Sequence, residues 1–287
     1  MWAEFFRPAN LTEALKLLSQ YNDSAVVVNG GSDIIISISQ KKVAPKAIVS
    51  IGHLKELKEI NTFNDYISIG GAVTYMQIEE SPECQELSGL MKAISHLASP
   101  PVRAIATPAG NIGTAAPAAD CATMLMALRA QIVLKSIEEE RIMPMEKIFS
   151  GKNRTEIRSD ELISEIRIPK LHTGDGTGYC RVSRRKAQDI GKILVGAFVN
   201  LSGDIITDAA ISLGALNANI VRAYSLEQQL IGMNIENAEE YLKKTFPEEA
   251  GLRNSYFRDY KEKVTSAITA RAFSRALSDS RERSVKR

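Results

Sequence analysis

The sequence predicts an α+β fold in two regions, and three observations carry that reading. Over residues 1–170, short β-branched runs alternate with amphipathic helical stretches, the pattern of small α/β subdomains. Beyond residue 174, long alternating strands come first and helices after, the pattern of an α+β domain. Between them, residues 171–178 (LHTGDGTG) are polar, carry three glycines and follow Pro169, so they read as the boundary.

Taken in order, residues 10–20 (NLTEALKLLSQ) have helical spacing, with Leu11, Ala14, Leu15 and Leu18 on one face and Asn10 or Thr12 as N-cap. A strand at 25–28, a Gly-Gly turn, an apolar segment at 34–38 and a buried strand at 47–51 complete a first subdomain over 1–55. The second subdomain, 56–170, opens with an alternating strand at 66–71 and a helix through AVTYMQIEES. A helix over 84–98 follows, its stripe being Leu87, Leu90, Met91, Ile94 and Leu97, and Pro100-Pro101 stops it. A long loop, a helix at 117–128 and strands at 131–136 and 161–168 finish this region. The C-terminal region, 174–287, holds strands at 179–184, 194–201 and 205–214, the last two joined by a Ser202-Gly203-Asp204 hairpin turn. Helices at 223–231, 236–245 and 256–278 come next, and the charged tail SDSRERSVKR is expected to fray.

Composition narrows the functional classes. A length of 287 residues suffices for two domains with their own cores. Hydrophobic content of 44% with 24% charged residues is that of a globular protein, and a net charge of +2 gives no reason to expect nucleic acid or an anionic membrane as partner. Cys84, Cys121 and Cys180 lie far apart with no C-x-x-C pair, which argues against zinc, a disulfide framework or an iron–sulfur cluster in this chain. His53, His96 and His172 have no carboxylate or cysteine at ligand spacing, so no metal site is expected. Without a signal peptide or an apolar run of about 18 residues, a cytoplasmic location is expected.

Two small-residue stretches carry the chemistry. Residues 107–120 (TPAGNIGTAAPAAD) contain no Lys, Arg or large aromatic, so a ligand could approach the backbone amides. A turn that packs a helix onto a sheet explains the same composition equally well. Residues 26–33 (VVVNGGSD) are a β-branched run, a glycine pair, a hydroxyl and a carboxylate, the make-up of a strand followed by an anion-binding turn. Neither stretch is a G-x-G-x-x-G fingerprint or a P-loop. Two such segments in one half of a chain suggest a ligand with two phosphates.

The pair VVNGGSDIII and TPAGNIGTAAPAADCATMLMAL resembles the two pyrophosphate loops of the FAD-binding (medium) subunit of molybdenum hydroxylases. That family includes the xanthine, nicotinate and carbon monoxide dehydrogenases and aldehyde oxidase. Its usual forms are A-G-G-T-D and T-I-G-G-N-x-x-x-x-x-P-x-x-D. IRSDELISEIRIP, RVSRRKAQDIGKILVGAFVNL and ISLGALNANIVRA follow in the family's order and spacing, so the likeness covers nearly the whole chain. It implies a two-subdomain FAD-binding region of the vanillyl-alcohol-oxidase/PCMH type, followed by a C-terminal α+β domain like that of the carbon monoxide dehydrogenase flavoprotein. It also implies an oxidoreductase subunit active only with a molybdopterin-containing large subunit and a [2Fe–2S] small subunit. Electrons would pass through FAD to NAD or another acceptor.

Carried over residue by residue, the resemblance implies FAD contacts from Val27, Val28, Asn29, Gly30, Gly31, Ser32, Asp33 and Ile34 in the first segment. In the second it implies Ala106, Thr107, Gly110, Asn111, Gly113, Thr114, Ala119 and Asp120. Asp120, set beside an anionic pyrophosphate, would need a hydroxyl or N–H donor as partner, and it could equally be a helix N-cap. Leu162 and Ile163 match apolar positions that line the flavin, although the residues alone say strand core. Arg181 matches a lysine near the flavin's pyrimidine edge in some members; a cross-strand surface arginine is the plain reading. Strand alternation puts Arg181 and Arg185 on one face and Arg184 and Lys186 on the other, and the four could form a docking face for a partner subunit. Ala109 stands where the family usually has glycine; were φ positive there, alanine would cost about 1–2 kcal/mol and weaken flavin binding. Two other readings are a stand-alone flavin reductase, like the UDP-N-acetylenolpyruvoylglucosamine reductases, and a flavin-free assembly subunit.

Overall fold

A computed structural model of the chain describes residues 3–185, 188–252 and 257–286. The order opens with β1 (Glu4–Phe6), α1 (Leu11–Tyr21), β2 (Ala25–Val28), α2 (Ile34–Ser39) and β3 (Ala47–Ser50). Then come β4 (Ile60–Thr62), β5 (Tyr66–Gly70), α3 (Tyr75–Glu80), α4 (Ser88–Ser95), α5 (Pro100–Arg103), α6 (Pro108–Thr114) and α7 (Asp120–Ala127). β6 (Gln131–Lys135), β7 (Glu140–Pro144), the small hairpin β8 (Phe149–Gly151) and β9 (Arg154–Thr155), and β10 (Leu162–Pro169) follow. The last elements are β11 (Asp175–Val182), β12 (Ile193–Ser202), β13 (Ile205–Gly214), β14 (Val221–Arg222), α8 (Tyr224–Leu230), α9 (Ile235–Lys244) and α10 (Arg258–Lys286).

These elements form two compact units that do not follow chain order. One comprises residues 1–83, 99–115 and 131–168, the other residues 84–98, 116–130 and 169–287. Helices α4 and α7, both drawn from the first 170 residues, thus belong with the C-terminal sheet.

The first unit holds a parallel sheet in the order β1-β3-β2 and a second sheet in the order β4-β5-β10-β6-β7. Asn10 caps α1 by accepting the Glu13 amide at 2.9 Å, and Ala14, Leu15 and Leu18 form its buried face. That face packs with Val49, Ile51, Leu54, Leu57 and Leu162 into one core, because the helical period brings those positions to one side. Thr74 and Gln77 start α3 with a reciprocal capping box.

The second unit is built on the antiparallel sheet β11-β12-β13-β14. Gly203, at φ +61°, makes the tight turn between β12 and β13. Every residue of α7 is buried, which is why its stretch of sequence shows no polar stripe. Its Thr123 carbonyl accepts the Ser212 hydroxyl of β13 at 2.5 Å.

Half of the glycine-rich stretch expected to be a connector is strand. Only residues 170–174 link β10 to β11, and Gly176 and Gly178 lie buried within β11. A Cβ at Gly176 would stand 2.0 Å from the Ala276 carbonyl oxygen of α10, and one at Gly178 would stand 2.1 Å from that of Ala272. These glycines therefore let a helix backbone lie directly on a strand. The tail is not frayed through Lys286: α10 continues there, and Arg283 donates to the Glu86 carbonyl at 2.7 Å and pairs with Asp279 at 3.2 Å. β11 stops at Val182, short of the expected 184, and the 84–98 helix is a 3-10 turn at Pro82–Cys84 followed by α4.

Candidate functional site

In the first unit the two small-residue segments lie side by side. Gly31 turns the chain out of β2 at φ +70°, a conformation open to glycine. Gly30 is small for another reason, since a Cβ there would stand 1.8 Å from the Ile105 carbonyl oxygen, just ahead of the second segment. Asn29 Nδ2 donates to the Gly71 carbonyl at 2.7 Å and to Thr107 Oγ1 at 3.4 Å. The Thr114 hydroxyl donates to the Gly110 carbonyl at 2.9 Å and reaches Asp33 Oδ2 at 3.4 Å.

The second segment is not the expected loop. Residues Pro108–Thr114 form α6, with Pro108 at its first position and Thr107 as N-cap, its hydroxyl accepting the Gly110 amide at 3.0 Å. Alternating small residues and a proline disguise a short helix, because helix propensity is a weak guide over seven residues. Ala109 sits inside this helix and is not among the residues with positive φ, so alanine in place of the family's glycine carries no backbone strain there. Gly113, one turn later, has open space where a Cβ would project. Leu162 is part of the unit's core, Ile163 is buried beside it, and the Ile163 carbonyl lies 2.0 Å from where a Gly71 Cβ would be.

One buried atom in this site has no protein partner. Asn29 Oδ1 is enclosed and accepts no hydrogen bond among the described residues. A buried carbonyl oxygen left unpaired costs about 1–3 kcal/mol, so it calls for a donor from outside the protein. An O–H or N–H of a nucleotide cofactor supplies one, so the residues present fit FAD.

Ala119, Asp120 and Arg181 belong to the second unit, where two of the three meet. Ala119 is the N-cap position of α7, and Asp120 is the first helical residue; its side chain does not cap the helix. Instead Asp120 Oδ1 accepts from Tyr179 Oη at 2.7 Å and from Arg181 Nη1 at 2.8 Å. Arg181 also donates to the His96 carbonyl at 3.2 Å and to the Asp189 carbonyl. Its side chain is only 6% exposed, so it is no surface arginine, and Nε has no partner among the described residues. Burial pushes the Asp120 carboxyl above its ordinary range, against the pull of Arg181 and Tyr179. Burial, and then Asp120, push the Tyr179 hydroxyl well above its own.

Tyr179 and His96 were not singled out from the sequence. The signal for Tyr179 was strand alternation, which puts residues 179 and 181 on the same face. Alternation does not extend to Arg184 and Arg185, because the strand has ended; both guanidinium groups turn to Asp189, at 3.2 and 3.8 Å. Lys186 lies outside the described residues. Among those residues no cluster of His, Cys, Asp or Glu could hold a metal ion, and no helix is long and apolar enough to cross a membrane.

A turn-and-helix nucleotide site ahead of a sheet-and-helix domain defines a two-domain flavoprotein. Comparison with known proteins names the group. Residues 2–171 match the FAD binding domain in molybdopterin dehydrogenase, and residues 178–276 match the CO dehydrogenase flavoprotein C-terminal domain. The nicotinate dehydrogenase FAD-subunit of Eubacterium barkeri is 31% identical over 235 residues, covering 80% of this chain and 79% of its own. Caffeine dehydrogenase subunit beta of Pseudomonas sp. (strain CBB1) is 28% identical over 288 residues, covering 95% and 94%. The fold matches a chain of the reconstituted CO dehydrogenase from Oligotropha carboxidovorans with a TM-score of 0.87 over 97% of this chain and 99% of that one, at 22% identity. This chain belongs to the FAD-binding medium subunits of the molybdenum hydroxylase family, and is an oxidoreductase subunit with FAD as its cofactor.

Proposed function

We propose that the chain carries electrons within a three-subunit molybdenum hydroxylase, between a [2Fe–2S] subunit and NAD or another acceptor, beside a molybdopterin-containing large subunit. The observation that carries the site assignment is the buried Asn29 Oδ1 beside the Gly30-Gly31 turn, which has no partner among the described residues. When bound, FAD supplies two-electron acceptance and release, and the protein supplies position and electrostatics. The residues proposed to hold it are Asn29 to Asp33, flanked by Val27, Val28 and Ile34, and Ala106, Thr107, Gly110, Asn111, Gly113 and Thr114. Amides and hydroxyls from these segments would bind the pyrophosphate, while Asn29 Oδ1 would accept from the cofactor. Ala119, Asp120, Leu162, Ile163 and Arg181 are proposed from the family pattern. Family matches at 2–171 and 178–276 support functional domains over 1–170 and 174–287.

The only sequence feature that favoured a flavin-free subunit was Ala109, and its place inside α6 removes that reason. With no histidine or cysteine inside either segment, the flavin is expected to be held without a covalent bond. Purified protein, denatured in acid, should release a yellow supernatant containing FAD, and Asn29→Ala should lower the flavin content of otherwise folded protein. A colourless chain that cannot be reconstituted with FAD would sink the reading. Native purification with identification of the accompanying chains tests the three-subunit assembly.

A further inference from the structure

The second unit carries an open, solvent-facing cavity of about 680 Å³ whose charge is not explained by anything above. Six of its lining residues are cationic: Lys92 from α4, Arg181 from β11, Arg184 and Arg185 just beyond it, and Arg271 and Arg275 from α10. None of the lining residues among those described is acidic. Two carboxylates behind the wall are already engaged, Asp120 with Arg181 and Asp189 with Arg184 and Arg185, which leaves Lys92, Arg271 and Arg275 without a counterion among the described residues and a net excess of four positive charges. The chain as a whole carries only +2, so this is a local concentration and not a general basicity.

Such a cluster is unfavourable without an anion. Arg271 and Arg275 are one helical turn apart, a spacing at which like charges repel. The field is felt nearby: burial and then Lys92, Arg181 and Arg275 depress the pKa of His96 on the same wall. A second observation concerns Arg181: it lines the cavity with a side chain only 6% exposed, and its Nε–H has no acceptor among the described residues.

We propose that this cavity binds a small organic diphosphate of the nucleoside-diphosphate type. Its size lies in the range of small-ligand sites, roughly 300–1,000 Å³. Guanidinium forks match phosphate oxygens in pairs, which suits a cavity rich in arginine. A terminal phosphate carries about −1.5 to −2 charge and the inner phosphate of a diphosphate carries one more, so a nucleoside diphosphate offsets most of the four-charge excess. Tyr260, Val264 and Ile268 form an apolar wall against which a base or sugar packs. The inference rests on the cation cluster, not on the flavin assignment.

The test uses full-length protein with its FAD bound, titrated calorimetrically in low-chloride buffer with ADP, inorganic pyrophosphate and adenosine. ADP binds saturably with one site per chain, pyrophosphate binds at least threefold more weakly, and adenosine does not bind. The double variant Lys92→Gln, Arg271→Gln weakens ADP at least tenfold while its melting temperature and flavin content match the parent's. Each of three results overturns the proposal: no saturable ADP binding to the parent, a double variant that binds like the parent, or ADP binding seen only after FAD is stripped. The third result would give the cavity to the cofactor.

Discussion

The Tyr179 hydroxyl donates to Asp120 Oδ1 across 2.7 Å, and the Arg181 guanidinium reaches the same oxygen. Two neighbours of equal parity on one strand thus close on the first residue of a helix about sixty positions earlier in the chain. The arrangement gives Asp120 a structural partner inside the protein, whatever else it contacts.

Removing the carboxylate therefore does more than remove a helix cap. Asp120→Ala leaves the buried Arg181 charge uncompensated, at an expected cost of about 3–5 kcal/mol, against about 0.5–2 kcal/mol for a lost cap. Replacing both partners by apolar residues, Asp120→Leu with Arg181→Met, should recover most of that loss. Tyr179→Phe should cost about 1.5–3 kcal/mol, the value of a hydrogen bond to a charged group. Urea unfolding of the parent, Asp120→Leu, Arg181→Met and the double variant checks the coupling, with Asp120→Ala and Tyr179→Phe measured beside them. An additive double variant would show that the pair is not coupled.

Gly178→Ala should be poorly tolerated although its backbone dihedrals suit any residue. The new methyl would stand 2.1 Å from the Ala272 carbonyl oxygen, so α10 must move off β11. An overpacking cost of about 1–3 kcal/mol or more is expected, read as a lower urea midpoint. A midpoint equal to the parent's would mean the helix does not lie so close.

Gly113→Ala separates folding from cofactor retention. In an open position inside α6 the methyl meets nothing, and helix propensity should stabilise the flavin-free chain by about 0.5–1 kcal/mol. If FAD approaches this backbone, the same change lowers flavin content. Paired measurements of melting temperature and released FAD decide; a more stable protein with full flavin would remove Gly113 from the site.

Asp189 sets a pH dependence with a definite sign. Hydrogen bonds from Arg184 and Arg185 outweigh desolvation and hold its pKa at about 2, below the unfolded value of 3.8. The unfolded chain then takes up the proton first, so this stabilisation is present above pH ~4 and is lost as pH falls toward ~2. Asp189→Asn should flatten the fall in stability across that interval, measured by denaturant titration at each pH. Equal slopes for variant and parent would show that the Asp189 contacts are not maintained in solution.

What the sequence by itself determined is what short-range chemistry can encode. The cap at Asn10, the strand Ala25–Val28 followed by a positive-φ glycine, and the Gly203 hairpin each depend on residues within a few positions. The α+β class and the family followed from those signals and their order along the chain. Composition misled where one pattern serves two structures: 107–114 reads as a loop but is a capped helix, and 175–178 reads as a linker but is a strand beneath α10. Only the tertiary structure decided that α4 and α7 join the C-terminal sheet, that Asp120 is held by Tyr179 and Arg181, and that six cations from three distant segments share one cavity. The reason is physical. Strand register and helix docking bring together residues about 60 to 180 positions apart, and no local propensity or period carries information over that distance.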